Sequence, residues 1–580
     1  IATNDFLAQR QAAAQAGRSF NPELSVSNVK TLGRKYPYDP DYNNFSPRAA
    51  VAWSPNISDG FLGKLFGGNK TVLRGGYSLA YDRINGVGIV MIPILGIGYG
   101  QLASCLGPSK NAAGQVVCTS AATDATTAFR IGVDGNAIPI APAGAPTLPI
   151  IPGTGKKDPF EQLSFQIDAR RKVGRNHSAD FTIQRELPGN FVVEAGYVGR
   201  YSRGLYQGLD LNQVPFFMKS TTSSQTFAQA YDAVALALRA GQTPATQPWF
   251  EEMLKGSAFC PATTTCTAEM ARRFNAQFVN GNVYTIFQNI NNSLVTGPGL
   301  SRNQVEVLYM ITDKGRSNYN AAFFSLQKRA SKGLTFALNY TISQSLDQKG
   351  YNQSSLGSAS NAYDLDYDYG PSLFDRRHIV NGYFNYELPF GKGQRFSTGS
   401  LADKIIGGWR VSGIVTAASG LPLEFAQGTG QEFGQASLFG NAVGMIQRSG
   451  GLFSASRTNG VVGSNNIGTN AGGAGSGLNA FSNPEAVYNS FRKVELSRDT
   501  RVGRGVLRGL PRWNVDLSVG KKTEITEKLK MAISADFTNA FNRVEFNDPN
   551  LNFLNPRAFG VLNSQINLPR YIQLGLRFEW

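Results

Sequence analysis

The last ten residues constrain this chain most. Between Tyr571 and Trp580, Ile572, Leu574, Leu576, Phe578 and Trp580 fall on one side of an extended strand, and Tyr571, Gln573, Gly575, Arg577 and Glu579 fall on the other. A period-two split without exception is the pattern of a strand with one apolar face. With Arg and Glu on its polar face and an aromatic residue at its end, it reads as the closing strand of an outer-membrane barrel, apolar towards lipid and polar towards the lumen. The terminal strand of a soluble β-protein can carry the same alternation, so the rest of the chain has to decide.

A helical route through a membrane is closed. No window reaches the ~18 consecutive apolar residues that a spanning helix needs. The nearest stretch, Val87 to Ile97, is interrupted by Gly88, Pro93 and Gly96, and proline breaks the helical ladder. A barrel is the other spanning structure that satisfies its backbone internally. Composition agrees, with 64 glycines, 11% aromatic residues and only 17% charged residues. The net charge of +16 raises nucleic-acid binding as an alternative. The densest basic stretch, Arg492, Lys493, Arg498, Arg501, Arg504, Arg508 and Arg512, is Gly-rich and lacks the interleaved aromatics that stack on bases. A solvated loop or a contact with acidic lipopolysaccharide fits it better, and no nucleic-acid partner is expected.

Strand patterns recur along the chain: Arg48 to Trp53, Thr71 to Arg83, Ser178 to Leu187, Phe191 to Tyr201, Ser317 to Arg329 and Leu334 to Ser345. They continue with Asp375 to Leu388, Lys404 to Ser419, Pro511 to Lys521, Lys528 to Phe541 and Arg570 to Trp580. Leu24 to Leu32 would add one more. Short turns at Pro188, Ser331, Gly391 and Thr523 join strands in pairs, while long Gly-, Ser-, Thr- and Asn-rich loops separate the pairs, at about 84–176, 204–304, 348–373 and 420–509. Segregation of loop length by side is the mark of an all-β, antiparallel up-and-down transmembrane barrel with short periplasmic turns and long extracellular loops. A soluble sandwich has no reason to show it. Parity then sends the final strand inward, with its end offered to the periplasmic barrel assembly machinery.

Several of these stretches resemble the carboxy-terminal barrel of the Oar-like TonB-dependent receptors of acidobacterial and myxobacterial type. They are FSPRAAVAWSP (Phe45 to Pro55), TVLRGGYSLAYDR (Thr71 to Arg83) and FTIQRELPGNFVVEAGYVG (Phe181 to Gly199), then GRSNYNAAFFSLQKRASKGLTFALNYTISQSLD (Gly315 to Asp347) and FDRRHIVNGYFNYELPFGKG (Phe374 to Gly393). GGWRVSGIVTAASGLPL (Gly407 to Leu423) and ISADFTNAFNRVEFNDP (Ile533 to Pro549) complete the set. The resemblance implies a barrel of about 22 strands closed by an amino-terminal plug, of which residues 1–580 supply half or more. It further implies that the plug, the TonB-contacting box and the first strands lie outside this chain. The chain opens at Ile1 with neither an initiator Met nor an export signal, which is read as a piece of a longer precursor. The function implied is a receptor that binds and translocates an unidentified substrate with energy from the TonB system. A structural or adhesive surface protein that binds through its long loops is the alternative from another class. Partners implied are outer-membrane lipid and lipopolysaccharide, the missing plug and strands, and TonB acting through that plug.

Chemistry-bearing residues are sparse. Cys105 and Cys118, then Cys260 and Cys266, form two pairs close in sequence inside long loops. Their spacing is not that of a zinc knuckle and no histidine lies nearby, so two local disulfides of an oxidising compartment are expected. Asp375, Arg376, Arg377 and His378 read as an ion-pair cluster at a barrel rim, and since no serine motif accompanies His378, catalysis is not expected. His177 reads as a solvated strand entry. Asp364, Asp366 and Asp368 share one face if their segment is extended, which would suit Ca²⁺. The segment lacks the Gly and Glu of a calcium loop, so lumen-facing acids in a solvated loop are the preferred reading, and no other cofactor is expected. The spaced glycines Gly96, Gly98 and Gly100 are turn residues rather than a nucleotide cradle. Tyr99, Trp249 and Phe250 are candidate ligand contacts in loops, with Trp249 and Phe250 read first as core for a helix over Phe227 to Ala240.

Overall fold

A computed structural model describes residues 3–83, 108–118, 128–136, 148–149, 151, 163–295, 307–348, 359–399, 402–423, 446–447, 467–468, 478–501, 504–526 and 529–580. Its main sheet follows chain order: β1 (Arg48–Trp53), β2 (Thr71–Tyr81), β3 (Arg175–Leu187), β4 (Phe191–Asp210), β5 (Val307–Ser331) and β6 (Leu334–Asp347), then β7 (His378–Glu387), β8 (Trp409–Ala418), β9 (Arg512–Glu524), β10 (Lys530–Thr538) and β11 (Tyr571–Glu579). Each strand pairs antiparallel with the next. No helix among the described residues is long and apolar enough to cross a membrane.

The turns explain why neighbours in sequence are neighbours in space. β3 and β4 reverse through Gly189 and Asn190, both with left-handed backbone (φ 83° and 64°). β5 and β6 reverse through Lys332 and Gly333 in the same region. At Gly333 a Cβ would lie 2.6 Å from the Glu387 carbonyl oxygen, so only glycine fits between this turn and β7. Register then locks the pleat: Phe181 faces Tyr197, Tyr197 faces Ala322 and Ala322 faces Ile342. A slip of one residue would exchange the two faces of the sheet.

β4 and β5 run for 20 and 25 residues, well beyond the ~9–11 that a bilayer crossing needs. The alternation by itself ends β4 near Tyr201 and starts β5 near Ser317. The extension past those points is bulged, with register shifts at Leu205, and it persists because the folded layer on the long-loop side, the cap, packs on it: Leu209, Leu211, Leu308, Tyr309, Met310 and Ile311 are all buried. Leu163–Ile167 adds to this extension in parallel to Val307–Ile311.

The long-loop side is a folded layer. α1 (Thr3–Gln15) lies there, as do α3 (Phe227–Arg239), α4 (Pro248–Met253), α5 (Cys266–Arg273), α6 (Asn275–Asn280) and α7 (Val283–Leu294). Two short helices sit instead in short-turn connections, α2 (Gly60–Phe66) and α8 (Ala402–Ile406). α3 starts at a reciprocal capping box between Thr226 and Gln229. Its Phe227, Tyr231 and Val234 pack with Trp249, Phe250, Phe278 and Phe287 in one core that also takes in Ala14, Phe165, Tyr367, Val494 and Leu496. With Tyr309 and Ile311 of β5, six separate stretches of sequence therefore share it. The segment 24–32 forms no strand; Leu24 instead packs with Phe6, Leu209 and Leu308 beside α1, because the apolar ends of β4 and β5 offer it a buried surface that a further edge strand would not.

Candidate functional site

The registers sort the sheet into two chemically distinct faces. One carries Val51, Leu73, Phe181, Ile183, Ala195, Tyr197, Phe324, Leu338, Tyr340, Val380, Val415, Val515, Leu517, Phe537 and the β11 residues Ile572, Leu574 and Leu576. Leu574 and Leu576 are 79% and 63% exposed, and an apolar surface of this extent is excluded from water. The other face is a polar ladder: Arg74 donates to Gln184 (2.8 Å), Asn339 to Asn381 (3.2 Å) and Ser518 to Asp536 (2.5 Å). Both ends of the apolar face are lined with aromatic side chains. Trp53 packs on Phe66 and Phe191 on Phe336 at the short-turn end. At the long-loop end the chain's two histidines occupy matching positions, His177 hydrogen-bonded to Tyr77 (2.8 Å) and His378 to Tyr340 (2.9 Å).

Above the polar face, the cap is closed by polar junctions between loops. The Asp232 carboxylate on α3 accepts from the N–H of Leu496 (3.0 Å) and from the N–H (2.7 Å) and hydroxyl (2.6 Å) of Ser497. Burial pushes Asp232 up to about 6, against the lowering effect of those hydrogen bonds. Arg492 holds Asp499 through two bonds of 2.7 Å. Lys493 donates to the Val279 carbonyl (2.9 Å) at the end of α6. Burial also raises Tyr367, which sits among Asp499, Asp368 and Asp232. Arg504 reaches the Asp347 carboxylate (2.9 Å) and the carbonyls of Asp347, Asp368 and Pro371. The basic stretch expected to be solvated is thus partly consumed inside the fold, because a guanidinium's five donors can tie several carbonyls at once.

The residues singled out from the sequence are placed as follows. Trp249 and Phe250 are fully buried, with Trp249 Nε1 donating to the Met218 carbonyl (3.0 Å); they are core and offer no surface to a ligand. Cys260 and Cys266 form a disulfide, so their sulfurs are not free to join Glu251 around a metal. Cys118 is disulfide-bonded, while Cys105 and Tyr99 lie outside the described residues. Asp364, Asp366 and Asp368 surround a 3-10 turn (Leu365–Asp368) rather than an extended segment. They serve separately: Asp364 accepts from the Asp366 N–H, Asp366 pairs with Arg316 (2.5 Å), and buried Asp368 accepts from the Ser360 N–H (2.7 Å). Asp375, Arg376, Arg377 and His378 stay at the rim but do not pair with one another. Asp375 pairs with Arg508 (2.5 Å) and accepts from the Ser345 N–H, Arg376 and Arg377 donate to the Ser419 and Ser343 carbonyls, and His378 turns to Tyr340. Asp375, Arg376 and Arg377 lie in irregular backbone just ahead of β7, so each side chain meets a different neighbouring segment. Tyr571, Ile572, Leu574, Leu576 and Phe578 lie in β11, which Trp580 follows.

In the sequence Asp232 does not stand out, and Arg504 and Arg508 stand out only as members of the basic stretch, with nothing to mark the partners they hold. For Asp232 a signal existed, since it falls four residues after Ala228 and three before Ala235, on the buried stripe of α3. For the two arginines there was none.

A family model described as an outer membrane beta barrel domain matches residues 4–573. The chain belongs to that family. This outer-membrane β-barrel therefore turns its apolar face to lipid and its polar face to the lumen, and the aromatic rows at both ends are its interfacial girdles. No curated protein matches it. Among solved structures it is similar to the outer membrane transporter YddB from Escherichia coli, with 9% identity over 92% of this chain and 40% of that one and a TM-score of 0.37. It is also similar to the ferric enterobactin receptor PfeA from Pseudomonas aeruginosa (8% identity, 92% and 40% covered, TM-score 0.34). The siderophore receptor PirA from Acinetobacter baumannii gives 9% identity, 92% and 41% covered, and a TM-score of 0.34. The β-barrel spans about two fifths of the length of these proteins.

Proposed function

We propose that this barrel is the wall and ligand-recognising cap of a TonB-dependent outer-membrane receptor, taking up a substrate too large or too scarce for passive pores. The observation that carries the reading is the packed layer on the long-loop side. A passive pore needs an open mouth, whereas here helices α3 to α7 and the loops around Tyr367 and Val494 share one core. On this reading the long loops are extracellular, the short turns periplasmic, and lipopolysaccharide surrounds the Tyr77–His177 and Tyr340–His378 end. The Oar-like kinship rests on the sequence stretches quoted above.

β1 and β11 end the ladder path, and both run towards the short-turn side. A spanning sheet leaves no open edge. We infer that further strands of the same receptor close the barrel around a plug through which TonB acts. Antiparallel seams at both edges require that complement to hold an odd number of strands, with both of its border strands running outward.

Replacing residues 212–295 by a short linker tests the receptor role. The expected result is a barrel that still assembles but loses growth on the same scarce nutrient that a TonB deletion loses. Growth on every nutrient of a broad panel, in the cap deletion and the TonB deletion alike, would overturn it.

A further inference from the structure

The two short helices on the short-turn side are copies of one module. The run Phe61-Leu62-Gly63-Lys64-Leu65-Phe66-Gly67-Gly68 aligns without a gap on Leu401-Ala402-Asp403-Lys404-Ile405-Ile406-Gly407-Gly408: an apolar start, Lys at the fourth place, two large apolar residues, then Gly-Gly. The structure repeats as well. In each copy the first glycine of the pair closes the helix by donating to the carbonyl four residues back, Gly67 to Gly63 (2.7 Å) and Gly407 to Asp403 (2.9 Å). The second glycine is left-handed in both (φ 58° and 71°). Each helix leads into a strand that runs towards the long-loop side, β2 or β8.

In each copy a cation from the next strand caps the lysine's carbonyl. Arg185 of β3 lies opposite Thr71, the first residue of β2, and donates to the Lys64 oxygen (2.9 Å). Lys521 of β9 lies opposite Trp409, the first residue of β8, and donates to the oxygens of Lys404 (2.9 Å), Ile405 (2.8 Å) and Gly407 (2.6 Å). Arg185 and Lys521 both belong to the apolar face by register. Each helix is also held to an aromatic residue of that face: Phe66 packs on Trp53 at 5.9 Å, and Trp409 Nε1 donates to the Ile405 carbonyl (3.1 Å). Fastened there, the helices leave their large apolar side chains uncovered. Phe61 is 79% exposed, Leu65 50% and Ile405 72%, with Lys64 and Lys404 exposed beside them.

We propose that α2 and α8 are a duplicated membrane anchor, lying at the headgroup boundary of the phospholipid leaflet next to the short turns. Apolar side chains dip into the acyl region, while Lys64 and Lys404 hold anionic headgroups and the charges of Arg185 and Lys521, whose donors fasten the helices, add to the positive field there. The occupant is lipid because the helices continue the lipid-facing surface of the barrel past its aromatic girdle. The proposal rests on the outer-membrane setting and is independent of TonB coupling.

Spin labels on the outer-membrane protein in phospholipid vesicles test it, at Leu65→Cys and Ile405→Cys, with Leu574→Cys as the acyl-chain reference and Lys392→Cys as the turn reference. Collision with oxygen against an aqueous nickel chelate reads depth. Labels at 65 and 405 are expected between the two references, and Lys64→Glu with Lys404→Glu should shift both towards the aqueous value in anionic vesicles. Labels at 65 and 405 that match Lys392→Cys, while Leu574→Cys remains in lipid, would overturn the anchor. An aqueous label at Leu574→Cys would overturn the placement of the barrel face itself.

Discussion

Ser497 gives Asp232 both its N–H (2.7 Å) and its hydroxyl (2.6 Å), so a single serine of the 478–501 segment holds a buried carboxylate of helix α3. The bond joins stretches 265 residues apart, and it makes the cap sensitive to acid. Asp232 sits at about 6 in the folded cap, above its ordinary 3.8. A group raised in this way contributes its full stabilisation below about 3.8 and loses it as pH rises through about 6. Amide protection across 491–499, corrected for intrinsic exchange, should therefore rise between pH 7.5 and pH 4.5, by at most about 3 kcal/mol. Asp232→Asn should flatten the dependence. Protection that stays level or falls in acid would contradict the junction.

Arg508 is the partner of a carboxylate that cannot reach water, as the Asp375 side chain is only 1% exposed. Removing the cation strands that charge, at a cost of roughly 3 kcal/mol. Arg508→Ala should lower the temperature at which the folded barrel loses its compact electrophoretic mobility. Asp375→Asn in the same background should recover much of the loss, and failure of that recovery would show that the pair is not the cause.

Leu574 and Gln573 are adjacent in β11 but belong to opposite faces. An arginine on the lipid side near the bilayer centre costs about 2–4 kcal/mol, whereas the lumen tolerates it. Leu574→Arg should reduce the yield of heat-modifiable barrel in the outer membrane, and Gln573→Arg should not. Equal yields would mean that the faces are assigned wrongly.

The Cys260–Cys266 disulfide closes a loop with a sequence separation of 6 at the start of α5. So short a loop yields only about 2 kcal/mol of constraint. Cys260→Ser with Cys266→Ser should speed proteolysis between α4 and α6 and leave barrel assembly unchanged. Loss of the whole barrel would show that the bridge supports more than the cap.

The strands were legible because a lipid-facing sheet writes its environment into every second residue. Leu334 to Ser345 and Tyr571 to Trp580 needed nothing beyond their own alternation. Asp232 was half-legible, as an acid on an apolar helical stripe. Arg504 was not legible at all, since its partners are carbonyls, which every residue carries and no sequence pattern marks.

Local periodicity thus determined the spanning strands, their order, the two faces of the sheet and the segregation of turns from loops, all set by interactions within a few residues or with the solvent on each side. Only tertiary structure decided that the loops form one folded cap, that β4 and β5 continue into it, and that the Asp364 to Asp368 segment turns instead of extending. Those outcomes depend on contacts between segments hundreds of residues apart, such as Leu24 with Leu308 and Asp232 with Ser497. A residue's own sequence neighbourhood holds no record of which distant surface will bury it.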